Sequence, residues 1–346
     1  MRRTLFLLIM ICATLGQAQE KSYQATCVAF YNFENLFDTE DDPNIRDDEF
    51  LPQGKRLWNE TLYQEKLSNM ATVVGMMGTN VTPDGPAILG ICEVENKKVL
   101  EDFVQQEKIA ARDYQIVHHD SPDKRGIDVA LIYQAKYFSV KNVKPYNLNI
   151  MKSKKDTLFS RDILLVSGLL NGEPTHIMVN HWPSRGGGEN KAAAYRQKAG
   201  QICKQIADSL YQDNPACNII IMGDLNDDPT SPSVKKYLAA KGKVAKTPKG
   251  GLYNPLCDSY KKGIGTTAYR DSWGVFDQII ISQNLLDKTA DKMLFYKAEI
   301  FKQPWMIQTT GKYKGYPKRT FSGDAYNGGY SDHLPVLIYL VKEMKS

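Results

Sequence analysis

Ile219-Ile-Ile-Met-Gly-Asp-Leu-Asn-Asp227 is the stretch from which the rest of the chain is read. Four apolar residues, Ile219 to Met222, form a buried strand, and Gly223 interrupts it just before Asp224 and Asn226, a carboxylate and an amide that share one alternation face. A polar site at the end of a core strand is implied. An ordinary strand followed by an Asp/Asn turn fits the same nine residues, so the flanking sequence has to decide.

Upstream, Ala192, Tyr195, Ala199, Ile202, Cys203, Ile206 and Leu210 recur at helical spacing, which predicts a long helix over 189–210 leading into this strand. Before it, 163–170 and 175–180 alternate around Asn171-Gly172, a hairpin signal, and His181 stands at the exit in His181-Trp-Pro-Ser-Arg-Gly-Gly-Gly188. The glycines suit a mobile loop that brings Arg185 to a phosphate, and they equally suit a plain linker. Downstream, 231–240 is predicted helical. Phe276-Asp-Gln-Ile-Ile-Ile281 is another buried strand, with Asp277 near its start, and a closing strand over 336–341 follows Ser331-Asp-His-Leu-Pro335.

The N-terminal half repeats the theme. A strand over 26–33 delivers Asn32 and Glu34, a helix from Leu62 ends near Gly78, and the strand 87–92 ends in Glu93 and Glu95, followed by a short helix over 97–106. Strands over 113–117 and 128–133 form a hairpin through Asp120-Ser-Pro-Asp-Lys-Arg-Gly126. Adjacent strand residues point to opposite faces, so His118 and His119 are read as loop or surface residues. The acidic run from Asp38 to Pro52 lacks the glycine and terminal glutamate spacing of an EF-hand and is read as a solvated loop with room for an adventitious calcium.

Residues 1–18 carry Arg2 and Arg3, an apolar run from Leu5 to Leu15 and small residues at Gly16 and Ala18, the pattern of a signal peptide. The mature product, residues 19–346, is expected as a single domain, secreted or periplasmic, with no membrane insertion and no implied protein partner, as a monomer. Losing the two arginines takes the formal charge from +5 to about +3, a weak argument for a polyanionic partner. Five cysteines remain, with no Cys-x-x-Cys spacing. Cys27, Cys92 and Cys203 read as core residues, and a single disulfide is left open.

Polar residues thus stand at six strand exits or entrances: Asn32, Glu93, His181, Asp224 with Asn226, Asp277, and Asp332 with His333. Convergence on one site is the economical explanation. Oxygen donors predominate, which favours a hard cation, Mg²⁺, Mn²⁺ or Ca²⁺, and leaves the histidines for acid/base or phosphate-binding work.

Tyr31-Asn-Phe-Glu-Asn-Leu-Phe37, Cys92-Glu-Val-Glu-Asn96, Arg125-Gly-Ile-Asp-Val-Ala-Leu-Ile-Tyr133, Asn180-His-Trp-Pro-Ser-Arg185, Met222-Gly-Asp-Leu-Asn226, Phe276-Asp-Gln-Ile-Ile280 and Ser331-Asp-His-Leu-Pro335, in this order, resemble the endonuclease/exonuclease/phosphatase superfamily over nearly the whole mature chain. The resemblance implies a four-layered α/β sandwich, two mixed β-sheets packed face to face with helices outside. It implies Glu93 as principal metal ligand with Asn32 beside it and Asp332 near the ion, Asp224 as the group that activates water, and Asn226 on a phosphate oxygen. His181 and His333 would flank the phosphate, with Asp277 orienting His333 and Asp128 as partner of His181. Arg125 and Arg185 are candidate phosphate contacts. The activity implied is a Mg²⁺- or Mn²⁺-dependent phosphoesterase, with DNA or RNA as the first substrate. A phospholipid head group, an inositol phosphate or another small phosphorylated metabolite is the alternative, and a binding module without catalysis is the third reading.

Overall fold

The computed structural model of the chain describes residues 22–153, 156–186, 189–288 and 292–344. The leader predicted at 1–18 and the glycines at 187 and 188 lie outside the described residues. Twelve strands build the two main sheets: β1 Tyr23–Leu36, β2 Pro86–Val94, β3 Tyr114–His118, β4 Asp128–Gln134, β5 Phe138–Tyr146, β6 Ile163–Leu170, β7 Glu173–His181, β8 Asn218–Asp224, β9 Leu252–Tyr253, β10 Asp277–Ser282, β11 Leu294–Ile300 and β12 Val336–Glu343. One sheet runs β11-β12-β1-β2-β4-β3 and the other β9-β10-β8-β7-β6-β5. Each holds one parallel pair, β1 with β2 and β7 with β8, and its remaining neighbours are antiparallel.

Alternation explains the layers. Val28 and Phe30 of β1 and Ile220 and Met222 of β8 meet between the sheets in one buried cluster. Their neighbours Cys27, Ala29 and Tyr31 turn outward onto helix α1 (Glu60–Met76), through Leu67, Met70 and Val74. Ile219 and Ile221 turn outward onto α2 (Glu189–Asp213), through Ala199 and Cys203. A strand covered on both faces has no polar side, which is why Ile219 to Met222 reads as a continuous apolar run. Gly90 keeps the sheets close, because a Cβ there would stand 2.3 Å from Met222 Sδ. The result is the expected four-layered sandwich.

The parallel pairs place the site. Asn32 and Glu93 leave the first sheet at the same end at which His181 and Asp224 leave the second. β10 runs against β8, so it begins there with Asp277 opposite Asp224, and β12 runs against β1, so His333 just precedes it. Three expectations need correction. The helix predicted over 231–240 is only the single turn Ser233–Tyr237. Strands β5 and β11 were not foreseen, because both are sheet edges; β5, with Lys141, Asn142, Lys144 and Pro145, has no apolar alternation to read. Among the described residues all five cysteines are free and buried, so no disulfide forms. No helix among them is long and apolar enough to cross a membrane.

Candidate active site

Asp224 is the hub. It is buried at the end of β8, and Gly223 before it packs so tightly on β7 that a Cβ would stand 2.3 Å from the Asn180 carbonyl oxygen. Its Oδ1 accepts the Asn226 N–H at 2.9 Å, its Oδ2 accepts Asn32 Nδ2 at 3.1 Å, and the Nε2 atoms of His181 and His333 stand 3.7 and 3.9 Å from Oδ2. Burial, with the charges of Asp277 and Glu93 and against that of His333, pushes the carboxyl up to about 7.

His333 Nδ1 and Asp277 Oδ2 are 2.6 Å apart, with the Asp277 side chain fully buried. Burial alone would lower the imidazole, but the carboxylates of Asp277 and Asp224 hold it well above the usual histidine range, so it is a cation at neutral pH. His181 is the opposite case. Burial first, then the charges of Arg161, Arg125 and His333, hold it well below that range, and its buried Nδ1 has no hydrogen-bond partner. One imidazole is thus charged and one neutral.

Glu93 occupies a bulge where β2 loses register with β4, and its φ is +61°. The irregularity brings Oε1 to Asn32 Nδ2 at 3.2 Å and Oε2 to the Asn35 N–H at 3.0 Å, with His181 Nε2 at 3.7 Å. Asn226 likewise has a positive φ, +50°, and its Nδ2 donates to the Trp182 carbonyl at 3.0 Å. Asn32 lies between the two carboxylates of the site. Its Oδ1 accepts the Glu34 N–H at 2.8 Å and its Nδ2 stands between two carboxylates. As oriented here, the Asn32 amide bridges Glu93 and Asp224 through its nitrogen.

Asp128 has a hydrogen-bond partner other than His181. It pairs with His118, Oδ2 to Nε2 at 3.1 Å, and accepts the Ser121 N–H at 2.7 Å; it is not the partner of His181. The His118 side chain is correspondingly covered, in a residue that is half-buried overall, while His119 is exposed and faces Asp162 at 3.8 Å. Arg125 is exposed on Asp123, and Arg185 is tied to the Asn226 carbonyl at 3.0 Å, to Asp227 and Asp228, and over the Phe276 ring. Asp332 is held at 2.7 Å by Arg319.

Buried charges that sequence reading missed complete the surroundings. Arg161 donates to the Trp182 carbonyl at 2.7 Å and to Asp123 at 3.0 Å, next to His181. Lys66, fully buried, donates to the Glu34 carbonyl at 2.9 Å and to Thr320 Oγ1 at 2.6 Å. Lys66 had a signal: it stands four residues from both Leu62 and Met70, inside the apolar stripe of α1.

A family model described as the endonuclease/exonuclease/phosphatase family matches residues 27–342. The chain belongs to that family. Comparison with curated protein sequences gave no match. Solved structures with the same fold include a Bacteroides thetaiotaomicron endonuclease/exonuclease/phosphatase family protein, 15% identical, covering 94% of this chain and 98% of that one at a TM-score of 0.55. TDP2 from D. rerio, complexed with single-strand DNA product, is 12% identical over 91% and 98% of the two chains, with a TM-score of 0.53. A B. thetaiotaomicron mannosyl-6-phosphatase is 15% identical over 91% and 99%, with a TM-score of 0.52.

Endonuclease/exonuclease/phosphatase proteins are divalent-metal-dependent phosphoesterases, and this member is a hydrolase of phosphate ester bonds. The donors fit such an ion. Asp224 and Glu93 share one bridging amide, a close approach of two carboxylates that a divalent cation relieves. Cys92 approaches His181 and Asp224, but burial, with the charges of Asp224 and Glu93, holds its thiol well above the usual range. The carboxylates of Asp224 and Glu93 make the donor set mainly one of hard oxygens, the kind a hard divalent cation takes.

Proposed function

We propose that the chain is an exported, Mg²⁺- or Mn²⁺-dependent phosphodiesterase acting on nucleic acid. The observation that carries the substrate choice is the rim beside Asp332. Arg319, which holds Asp332, lies over the Tyr313 ring at 5.0 Å, and Tyr316 Oη binds Asp271 in the 267–274 hairpin, whose Tyr269 is 70% exposed. Cations interleaved with aromatic rings, one exposed and two half-buried, suit a phosphate backbone with stacked bases. The leader predicted at 1–18 supports export.

Glu93, with Asp332 nearby, would hold the ion, which supplies Lewis-acid stabilisation of charge on the phosphoryl oxygens. Asp224 accepts a proton from the water that attacks phosphorus. His333, charged because Asp277 faces it, donates a hydrogen bond to a phosphoryl oxygen or a proton to the departing ester oxygen. Neutral His181 positions the phosphate, and Asn226 turns its amide toward a non-bridging oxygen. The P–O ester bond breaks as the water oxygen bonds to phosphorus; the water's proton goes to Asp224, and the departing ester oxygen takes its proton from His333 when His333 acts as the acid, or from solvent when His333 only hydrogen-bonds a phosphoryl oxygen.

The similarity to a mannosyl-6-phosphatase supports a second reading, hydrolysis of a sugar phosphate monoester. Turnover of a single-stranded oligonucleotide, bis(p-nitrophenyl) phosphate, mannose 6-phosphate and inositol phosphates, each with Mg²⁺, Mn²⁺ or EDTA, separates them. Preference for the oligonucleotide is expected. Cleavage of the monoesters alone overturns the proposal.

A further inference from the structure

Lys66 is a fully buried ammonium inside the apolar stripe of α1, where a leucine or methionine would pack at less cost. Its acceptors are neutral oxygens, the Glu34 carbonyl at 2.9 Å and Thr320 Oγ1 at 2.6 Å, and among the described residues no carboxylate forms an ion pair with it. An ion pair therefore does not account for its place in the core.

The Glu34 carbonyl belongs to the same peptide unit as the Asn35 N–H, which donates to Glu93 Oε2 at 3.0 Å. That unit is planar, with its C=O and N–H pointing in opposite directions, so Lys66 on one side and Glu93 on the other fix its orientation. A clamp is needed here, because Glu34 and Asn35 both have left-handed φ, +47° and +54°, which residues with a Cβ disfavour. The turn also directs the Glu34 N–H to Asn32 Oδ1 at 2.8 Å, and the nitrogen of that amide reaches Glu93 Oε1 at 3.2 Å. Both oxygens of Glu93 are thus oriented by the segment that Lys66 holds.

The second acceptor leads to the other carboxylate beside the ion. The Thr320 N–H donates to Glu34 Oε2 at 2.7 Å, which closes a hydrogen-bond ring through Lys66, and Thr320 is 1% exposed. Arg319, the residue before it, holds Asp332 Oδ2 at 2.7 Å. One ammonium therefore ties the end of β1 to the segment that fixes Asp332.

We propose that Lys66 is a positioning residue of the metal centre, which orients Glu93 through the 34–35 peptide and Asp332 through Thr320 and Arg319, and so raises the affinity for the divalent ion. This rests on the assignment of Glu93 to the ion. Groups that orient metal ligands from behind typically set about 10–100-fold of metal affinity.

Mn²⁺ binding to the full chain, followed by calorimetry and by loss of the free-ion paramagnetic signal, tests this alongside thermal melting without metal. Lys66→Met keeps the apolar stem and should weaken Mn²⁺ binding at least about tenfold. Thr320→Val keeps the shape and the N–H but removes the Oγ1 acceptor, and should weaken binding several-fold; Thr320→Ser, which retains the hydroxyl, should bind as wild type does. A purely structural Lys66 would lower Tm and leave Mn²⁺ affinity in place. A folded Lys66→Met or Thr320→Val variant that binds Mn²⁺ as tightly as wild type overturns the role of Lys66 alone. Wild type that binds no Mn²⁺, or Glu93→Gln that binds it undiminished, overturns the assignment of Glu93 and the role of Lys66 with it.

Discussion

The floor of the active site and its rim are built in opposite ways. Asp224, Asp277, His181 and His333 are buried at strand ends, and the sheet registers fix three of them, pairing Asp224 with Asp277 on one side and His181 on the other. The rim residues Tyr269, Arg270, Tyr313 and Tyr316 stand on hairpins and turns, joined to the floor by Arg319 on Asp332 and by Thr267 Oγ1 on the Asp332 carbonyl. Side chains anchored by a sheet hold the geometry that bond cleavage requires, whereas exposed loops can change without cost to the core. The floor therefore sets the reaction, and the rim sets what carries the phosphate.

This contrast breaks first at the floor. Asp224→Ala should lower kcat on a chromogenic phosphodiester by about 10²–10⁴-fold, and EDTA should bring the wild type to background; a variant within tenfold of wild type would remove Asp224 from the chemistry. Asp277→Asn should cost about 10²-fold and also change the pH profile. With the carboxylate gone, His333 loses its proton at lower pH, so the alkaline limb of kcat should move down. The acid limb, set by Asp224 deprotonating near 7, should move down as well, because the Asp277 charge is one of those that raise Asp224. An alkaline limb that stays in place would mean that the His333 charge is not used.

The rim should respond more weakly and only toward large substrates. Tyr269→Ala should raise KM for a single-stranded oligonucleotide by about tenfold, the scale of one lost stacking contact, and leave bis(p-nitrophenyl) phosphate unaffected. Equal effects on both substrates would place Tyr269 in the floor's work. Between the two regions, Met222→Ala should cost about 2–5 kcal/mol of stability, read from denaturant melts, with kcat little changed, because Met222 packs between the sheets and touches none of the reacting groups.

The primary structure was most legible where local pattern and burial agree. The run Ile219 to Met222, the hairpin at Asn171-Gly172 and the polar residues at six strand ends follow from alternation and turn chemistry, whereas the two-sheet sandwich and the roles of the site residues followed from the family resemblance that those motifs carry. Strands β5 and β11 escaped because sheet edges need not alternate.

What the chain order could not decide was pairing. Asp128 and His118 are ten residues apart yet form a partly buried pair, while Asp128 and His181 share only membership of the same set of motifs; the amide of Asn32 joins two carboxylates; and Lys66 and Glu34 disappear into the interior. Each of these depends on which atom of a side chain meets which neighbour. That is set when β1 with β2 and β7 with β8 close face to face, and neither periodicity nor spacing along the chain encodes it directly.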